Sequence, residues 1–105
     1  MIIHIGLLTL ADPAGEDIAD VMEGLAALRG RLSGMLEFEH GPNIDAEGLS
    51  PDCDYGFVVR FQDRAALQAY ADDDEHKAIG VQLLALCKGG IDGLMVVDLD
   101  LSPNR

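Results

Sequence analysis

The spacing of hydrophobic residues changes along the chain, and each change predicts a new structural element. Residues 1–10 form an apolar run rich in β-branched side chains, which is typical of a strand and stops at Asp12. Apolar side chains then recur every three or four positions, which predicts an amphipathic helix that ends at Gly34. The apolar face of this helix contains Ile18, Val21, Met22, Leu25, Leu28 and Leu32.

A second strand, a long loop and a third strand are predicted next. Residues 35–40 alternate between acidic positions and a face that begins with Leu36, so they predict strand two. The segment 41–54 contains Gly, Pro, Asn, Asp and Ser, which are typical of a loop. Residues 55–61 carry aromatic and β-branched side chains in alternation and predict strand three.

Two helices and a last strand complete the predicted order. Asp63 is placed to cap a short helix that carries Tyr70. Asp72 and Glu75 have the spacing of a capping box, which predicts the start of a second helix. Residues 91–101 are mostly apolar and predict the fourth strand, which leaves four residues as a tail.

The predicted order is β-α-β-β-α-β, with the second helix divided in two. This order is typical of an α+β ferredoxin-like sandwich, in which both helices cover one face of an antiparallel sheet. The chain has 105 residues, close to the usual size of one domain, so we expect a single domain over residues 1–105.

Several predicted strands are apolar on both faces, whereas a lone two-layer domain needs only one apolar face. In strand one the two sets are Ile3, Ile5 and Leu7, and Ile2, Leu8 and Leu10. In strand four they are Met95, Val97 and Leu99, and Leu94 and Val96. Leaving such a side chain in water forfeits about 1.5–3 kcal/mol. We therefore predict a homodimer that closes a barrel-like core between two sheets, the alternative being that the long loop covers this face.

Charge narrows the classes of partner. The chain has 19 acidic and 7 basic residues and a net charge of -12 at pH 7, which predicts repulsion from nucleic acids and from anionic membranes. No apolar stretch reaches the length of a membrane span, and the first residues lack the pattern of a signal peptide, so we expect a cytoplasmic protein. The two cysteines are far apart and form no metal-binding or redox motif.

Three side chains are candidates for chemistry. His4 is a polar residue within the apolar first strand, and Tyr70 and His76 lie on either side of the helix break. A phenol that donates to a carbonyl oxygen and an imidazole that removes a proton form a workable acid–base pair. In the structural alternative, His4 is a satisfied core histidine, Tyr70 is a core residue and His76 lies on the surface.

Two further features have alternative interpretations. The acidic run 72–75 could bind a hard cation, although acids at a helix start also cap amides and complement the dipole. The loop with Asn43, Asp45 and Glu47 is either a lid or a long connection. Nucleotide-binding, zinc-protease and nucleophile-elbow motifs are absent, so no cofactor or metal is predicted.

Several segments resemble the stress-responsive α/β-barrel family, also called the Dabb domain. Residues 1–5 are similar to its opening, and residues 32–41 to the end of its first helix and its second strand. Residues 55–61 and 63–70 are similar to its third strand and short helix, and Glu75-His76 matches its His at the start of the next helix. The resemblance covers nearly the whole chain.

The resemblance implies dimers whose two sheets form a barrel, with a cavity between each sheet and its helices. One plant member is a polyketide cyclase that closes a ring by aldol condensation without a cofactor. By resemblance, its Tyr and His correspond to Tyr70 and His76, and its strand-one His to His4. The cyclase has a further His where this chain has Phe57, and the family often has His-Pro where this chain has two acids.

Three hypotheses of function follow. In the first, the dimer binds a small, apolar, oxygenated molecule and acts on it, with His76 as base, Tyr70 as hydrogen-bond donor and His4 as a second polar contact. In the second, the chain is a stress-related stability or interaction protein without turnover. In the third, it is a cofactor-free monooxygenase of the antibiotic-biosynthesis type. The chain contains no Trp, which makes it a poorer match to this type.

Overall fold

A four-stranded antiparallel sheet is covered on one face by three helices, as the sequence predicts. The computed structural model describes residues 1–101, and the predicted tail lies outside them. The strands are Ile2–Leu8 (β1), Met35–Pro42 (β2), Tyr55–Phe61 (β3) and Leu94–Asp100 (β4), in the order β2-β3-β1-β4. The helices are Asp17–Ala27 (α1), Arg64–Asp72 (α2) and Asp74–Leu86 (α3). This is the ferredoxin-like α+β fold.

The core lies between the sheet and the helices. On β1, Ile2 and Leu8 are buried on the side that faces the helices, and His4 shares this side because its ring lies against Tyr70 of α2. The β3 residues opposite this side of β1 are Tyr55, Phe57, Val59 and Phe61. The alternation of the strands therefore brings a polar side chain, His4, into a largely apolar layer.

Gly6 lets an aromatic ring lie flat on the middle of the sheet. A Cβ atom at this position would lie 2.2 Å from the Cε1 and Cζ atoms of Phe57, which faces Gly6 on the adjacent strand. Because glycine has no side chain, the Phe57 ring occupies the space above β1. Phe57 is buried and also stacks on Phe38 of β2 at a centroid distance of 5.6 Å.

The opposite face of the sheet, called here the outer face, is largely apolar. Its residues on β1, β3 and β4 include Ile3, Ile5, Leu7, Val58, Met95, Val97 and Leu99. Met95 is 61% exposed and Leu99 44% exposed. The β2 edge of this face is charged instead, and Glu37 forms an ion pair with Arg60. The prediction of strands that are apolar on both faces is confirmed for the single chain.

Local geometry differs from the sequence prediction at several places. The helix predicted to continue to Gly34 ends at Ala27 and is followed by a 3₁₀ turn at Leu28–Gly30. A β-bulge lies between Met35 and Glu37, so Met35 is buried and Leu36 is 40% exposed, and the predicted alternation is wrong at Leu36. It is confirmed from Glu37 to His40. The second helix cap is Asp73 rather than Asp72, because the Asp73 carboxylate accepts the His76 backbone N–H. A 3₁₀ turn at Gly90–Gly93 precedes β4, which begins at Leu94.

The loop between β2 and β3 is tied together by its own polar side chains. The Asn43 amide donates to the carbonyl oxygens of Ser50 and Cys53, and Asp45 accepts from the backbone N–H and hydroxyl of Ser50. These bonds favour a fixed connection over a lid. Within residues 1–101, no helix has the length and hydrophobicity needed to cross a membrane.

Candidate functional site

One cavity between the sheet and α3 contains His4, Tyr70 and His76 together. Its volume is about 320 Å³. Apolar side chains form most of its wall, namely Leu25, Phe57, Val81, Leu83, Leu84, Leu94 and Val96. Two other cavities, of about 420 and 460 Å³, lie against the loop between β2 and β3 and contain none of the three predicted residues. The cavity against α3, called here the α3 cavity, is therefore the one in which the candidate residues converge.

Tyr70 reaches the α3 cavity from the last turns of α2. Its side chain is 1% exposed, and its ring lies 3.9 Å from the His76 ring, centroid to centroid. Burial raises the pKa of the Tyr70 hydroxyl far above its ordinary value of 10.0, so the phenol stays protonated. No hydrogen bond from this hydroxyl is found among the residues that the structure describes. Tyr70 can therefore donate to a bound oxygen atom.

His76 lies in the first turn of α3, where the cap residue Asp73 fixes its backbone. Its Nδ1 atom is buried and has no hydrogen-bond partner within the described chain. Burial lowers the pKa of His76 below 6.5, and the charges of His4 and Lys77 act in the same direction. The backbone of Ala71 and the Asp73 carboxylate oppose this shift. The ring is therefore neutral at pH 7 and can accept a proton.

His4 is held by a carboxylate that the sequence analysis missed. Its Nδ1 atom lies 2.5 Å from Oδ1 of Asp98 on the neighbouring strand β4, at the register position directly opposite. Because an ionised carboxylate only accepts hydrogen bonds, Nδ1 of His4 is the donor in this pair. The two residues are 94 positions apart, so no local pattern could reveal the pair.

A second interaction between distant residues fixes the junction of α2 and α3. Arg31, which follows α1, donates two hydrogen bonds of 2.8 and 2.7 Å to the two carboxylate oxygens of Asp73 and a third of 3.0 Å to Glu75. The hydrogen bonds that Asp73 accepts from Arg31, and in second place the one from the His76 backbone, lower its pKa to about 2. Asp73 also accepts the His76 N–H, so Arg31 indirectly positions His76.

The acidic run 72–75 therefore has structural partners. Asp73 caps α3 and binds Arg31, and Asp72 accepts a hydrogen bond from Gln68 one turn earlier in α2. Among residues 1–101, no cluster of three or more His, Cys, Asp or Glu side chains has a geometry that could hold a metal ion. These partners favour the capping interpretation of the run.

A second tyrosine–histidine pair lies on the same side of the sheet, near α1. The Nδ1 atom of His40 on β2 lies 2.6 Å from the hydroxyl of Tyr55 on β3. The Nε2 atom of His40 lies 3.4 Å from a carboxylate oxygen of Glu23 on α1. Burial raises the pKa of Tyr55, and the charge of Glu23 adds to this effect. Both ring nitrogens of His40 therefore have protein partners.

A four-stranded antiparallel sheet covered on one face by helices defines a ferredoxin-like α+β fold. Residues 2–101 match the profile of the Stress Responsive A/B Barrel Domain family, Dabb. The chain belongs to this family. No curated protein matches the chain.

Solved structures give the same picture of the fold. A dimeric ferredoxin-like protein of unknown function from Jannaschia sp. CCS1 is 40% identical, with a TM-score of 0.89 over 95% of this chain and 98% of that one. A mutant of SnoaB, a cofactor-independent oxygenase of Streptomyces nogalater, is 16% identical, with a TM-score of 0.73 over 94% and 90%. The hydroxynitrile lyase of Passiflora edulis is 10% identical, with a TM-score of 0.78 over 96% and 94%. The two enzymes are alike in fold.

Proposed function

We propose that this protein binds a small, largely apolar carbonyl compound in the α3 cavity and catalyses proton transfer on it without a cofactor. His76 is the base, Tyr70 is the hydrogen-bond donor to the carbonyl oxygen, and His4 is a second polar contact oriented by Asp98. The largely apolar walls fit a ring or short alkyl chain.

The proposed step begins at a C–H bond next to the carbonyl. Neutral His76 removes this proton, and the electron pair moves into an enolate whose oxygen accepts the Tyr70 hydrogen bond. The enolate then attacks a second carbonyl, as in an aldol addition, and the alkoxide that forms takes the proton from protonated His76. Without a second carbonyl, the enolate takes this proton back. The directions of the two pKa shifts agree with these roles, because burial keeps His76 neutral and Tyr70 protonated.

One observation carries the proposal. Three side chains from β1, α2 and α3 meet at one apolar cavity, and the Nδ1 atom of His76 is buried there without a partner in the described chain. A buried polar atom without a partner is costly, by about 1–3 kcal/mol, and is rare in folded proteins. A bound ligand that supplies the missing hydrogen bond would remove this cost.

Hydrogen–deuterium exchange of acetophenone tests the proposed chemistry. We expect the protein in D₂O to accelerate exchange of the methyl protons, as followed by NMR, and we expect His76→Ala to remove at least about a hundredfold of this rate. Binding of acetophenone without exchange would favour the non-catalytic hypothesis. Exchange that persists in His76→Ala would contradict the role of His76 as base.

We further propose that the outer face pairs with the same face of a second copy. The exposed apolar side chains there support this proposal, as does the description of the Jannaschia protein as dimeric. We expect a dimer in sedimentation at micromolar concentration and a monomer after Met95→Glu. Ile91→Glu is the matched control, because Ile91 is similarly exposed (66%) but lies outside the sheet. A monomeric wild-type protein would contradict the proposal.

A further inference from the structure

One residue with a permanent positive charge, Lys77, lines the α3 cavity. Lys77 follows His76 on α3 and lines the cavity beside Tyr70 and His76. Its charge is close enough to His76 to lower the pKa of that ring in addition to the effect of burial. The other polar side chains of the wall are His4, Tyr70 and His76, and the remaining residues are apolar or glycine.

This lysine has no acidic partner within the described chain. Among residues 1–101, the ion pairs that involve lysine or arginine are formed by Arg31, Arg60 and Arg64, and Lys77 takes part in none of them. The chain has 19 acidic residues for 7 basic ones, so acidic partners are abundant. Lys77 is exposed and has no ion pair within residues 1–101, and it borders a largely apolar cavity, so its ammonium group is available to a ligand.

We propose that the ligand of the α3 cavity carries a carboxylate, which Lys77 binds while the carbonyl group lies at Tyr70 and His76. This inference rests on the proposed function and specifies its substrate class as small keto acids. A carboxylate matches a single ammonium group better than a phosphate does, because phosphate sites in proteins usually combine several donors. The net charge of -12 also opposes the approach of polyanions more strongly than that of a monoanion.

A pair of isosteric probes tests this inference. 4-Acetylbenzoate and 4-acetylbenzamide share a methyl ketone and a ring, and they differ in charge at the opposite end. We expect the wild-type protein to bind the benzoate roughly five- to tenfold more tightly than the benzamide, as measured by NMR titration at low salt. Added salt should reduce this preference, because it screens a charge at the exposed mouth of the cavity.

Lysine variants test whether the preference for the benzoate comes from Lys77 or from the overall charge of the protein. Lys77→Met should equalise the two dissociation constants, and Lys77→Arg should retain the preference. Lys88→Met is the matched control, because Lys88 is an exposed lysine that follows α3 and lies outside the cavity wall. It should leave the preference unchanged.

The outcomes distinguish this inference from the proposed function. The carboxylate inference is overturned if the wild-type protein binds both probes equally, or if the preference survives in Lys77→Met. The proposed function still stands in that case, provided that deuterium exchange on the benzamide depends on His76. If neither probe binds, the proposed function fails and the inference fails with it.

Discussion

The molecule contains two tyrosine–histidine pairs on the same side of one sheet, and they differ in how their polar atoms are used. In the Tyr55–His40 pair, the hydroxyl is 2.6 Å from Nδ1 and the other ring nitrogen approaches Glu23. In the Tyr70–His76 pair, the rings are 3.9 Å apart but no hydrogen bond joins them. The first pair is satisfied within the protein, and the second is not.

The difference separates a structural pair from a candidate site. The Tyr55–His40 pair links β2, β3 and, through Glu23, α1, and each of its polar atoms has a use in the folded chain. The Tyr70–His76 pair lies in the wall of a cavity with a buried and unpartnered Nδ1 atom. Since natural proteins rarely leave such an atom unsatisfied, we expect the Tyr70–His76 pair to contact a ligand.

Replacement of each histidine is the strongest test of this comparison. We expect His76→Ala to reduce acetophenone exchange at least about a hundredfold, because it removes the base, whereas His40→Ala should change the rate little. Both rates are measured by NMR under the same conditions. If His40→Ala abolished exchange and His76→Ala did not, the assignment of the two pairs would be reversed.

Replacement of each tyrosine by phenylalanine removes only a hydroxyl group. Tyr70→Phe should slow exchange by about tenfold or more, because a hydrogen bond to the enolate oxygen is lost. It should change stability little, because this hydroxyl has no partner in the described chain. Tyr55→Phe should lower the free energy of unfolding by about 1 kcal/mol without slowing exchange, because it leaves His40 without its partner. Urea unfolding measures this difference, and equal losses of stability would contradict the comparison.

Replacement of Arg31 should affect the Tyr70–His76 pair and leave the Tyr55–His40 pair unchanged. Arg31→Met removes the hydrogen bonds that hold Asp73 at the junction of α2 and α3, so we expect a several-fold slower exchange through misplacement of His76. Arg29→Met is the control, since Arg29 is exposed and forms no ion pair within residues 1–101. A shifted His76 ring signal in the Arg31 variant alone would support the positioning role. Equal exchange rates in both variants would contradict it.

The smallest expected effect is a shift in pH dependence. Because burial lowers the pKa of His76, the exchange rate should stay constant as the pH falls past 6.5 and should decrease only near the lowered pKa. In the unfolded chain this histidine binds its proton at higher pH, so its contribution to stability is present above 6.5 and is lost as the pH falls through the folded-state pKa. Titration of the His76 ring by NMR checks the sign, and a midpoint at or above 6.5 would contradict it.

The order of elements was predictable because hydrophobic spacing reports it directly. The third strand was predicted with its observed bounds, Tyr55–Phe61, and Asp63 caps α2 as expected. The bulge beside Leu36 and the exact cap of α3 were not predicted. A bulge depends on pairing with β3, and adjacent aspartates have equal intrinsic ability to cap, so tertiary contacts decide both.

For the candidate site, the sequence by itself determined which chemical groups are present and which elements carry them: His4 on a strand, and Tyr70 and His76 on either side of a helix junction. Only the tertiary structure decided that these residues line one cavity, that Asp98 holds His4, and that Lys77 lies in the same wall. The physical reason is that local periodicity determines the face of each element. The distance between side chains far apart in sequence depends on strand register and on how the helices pack on the sheet.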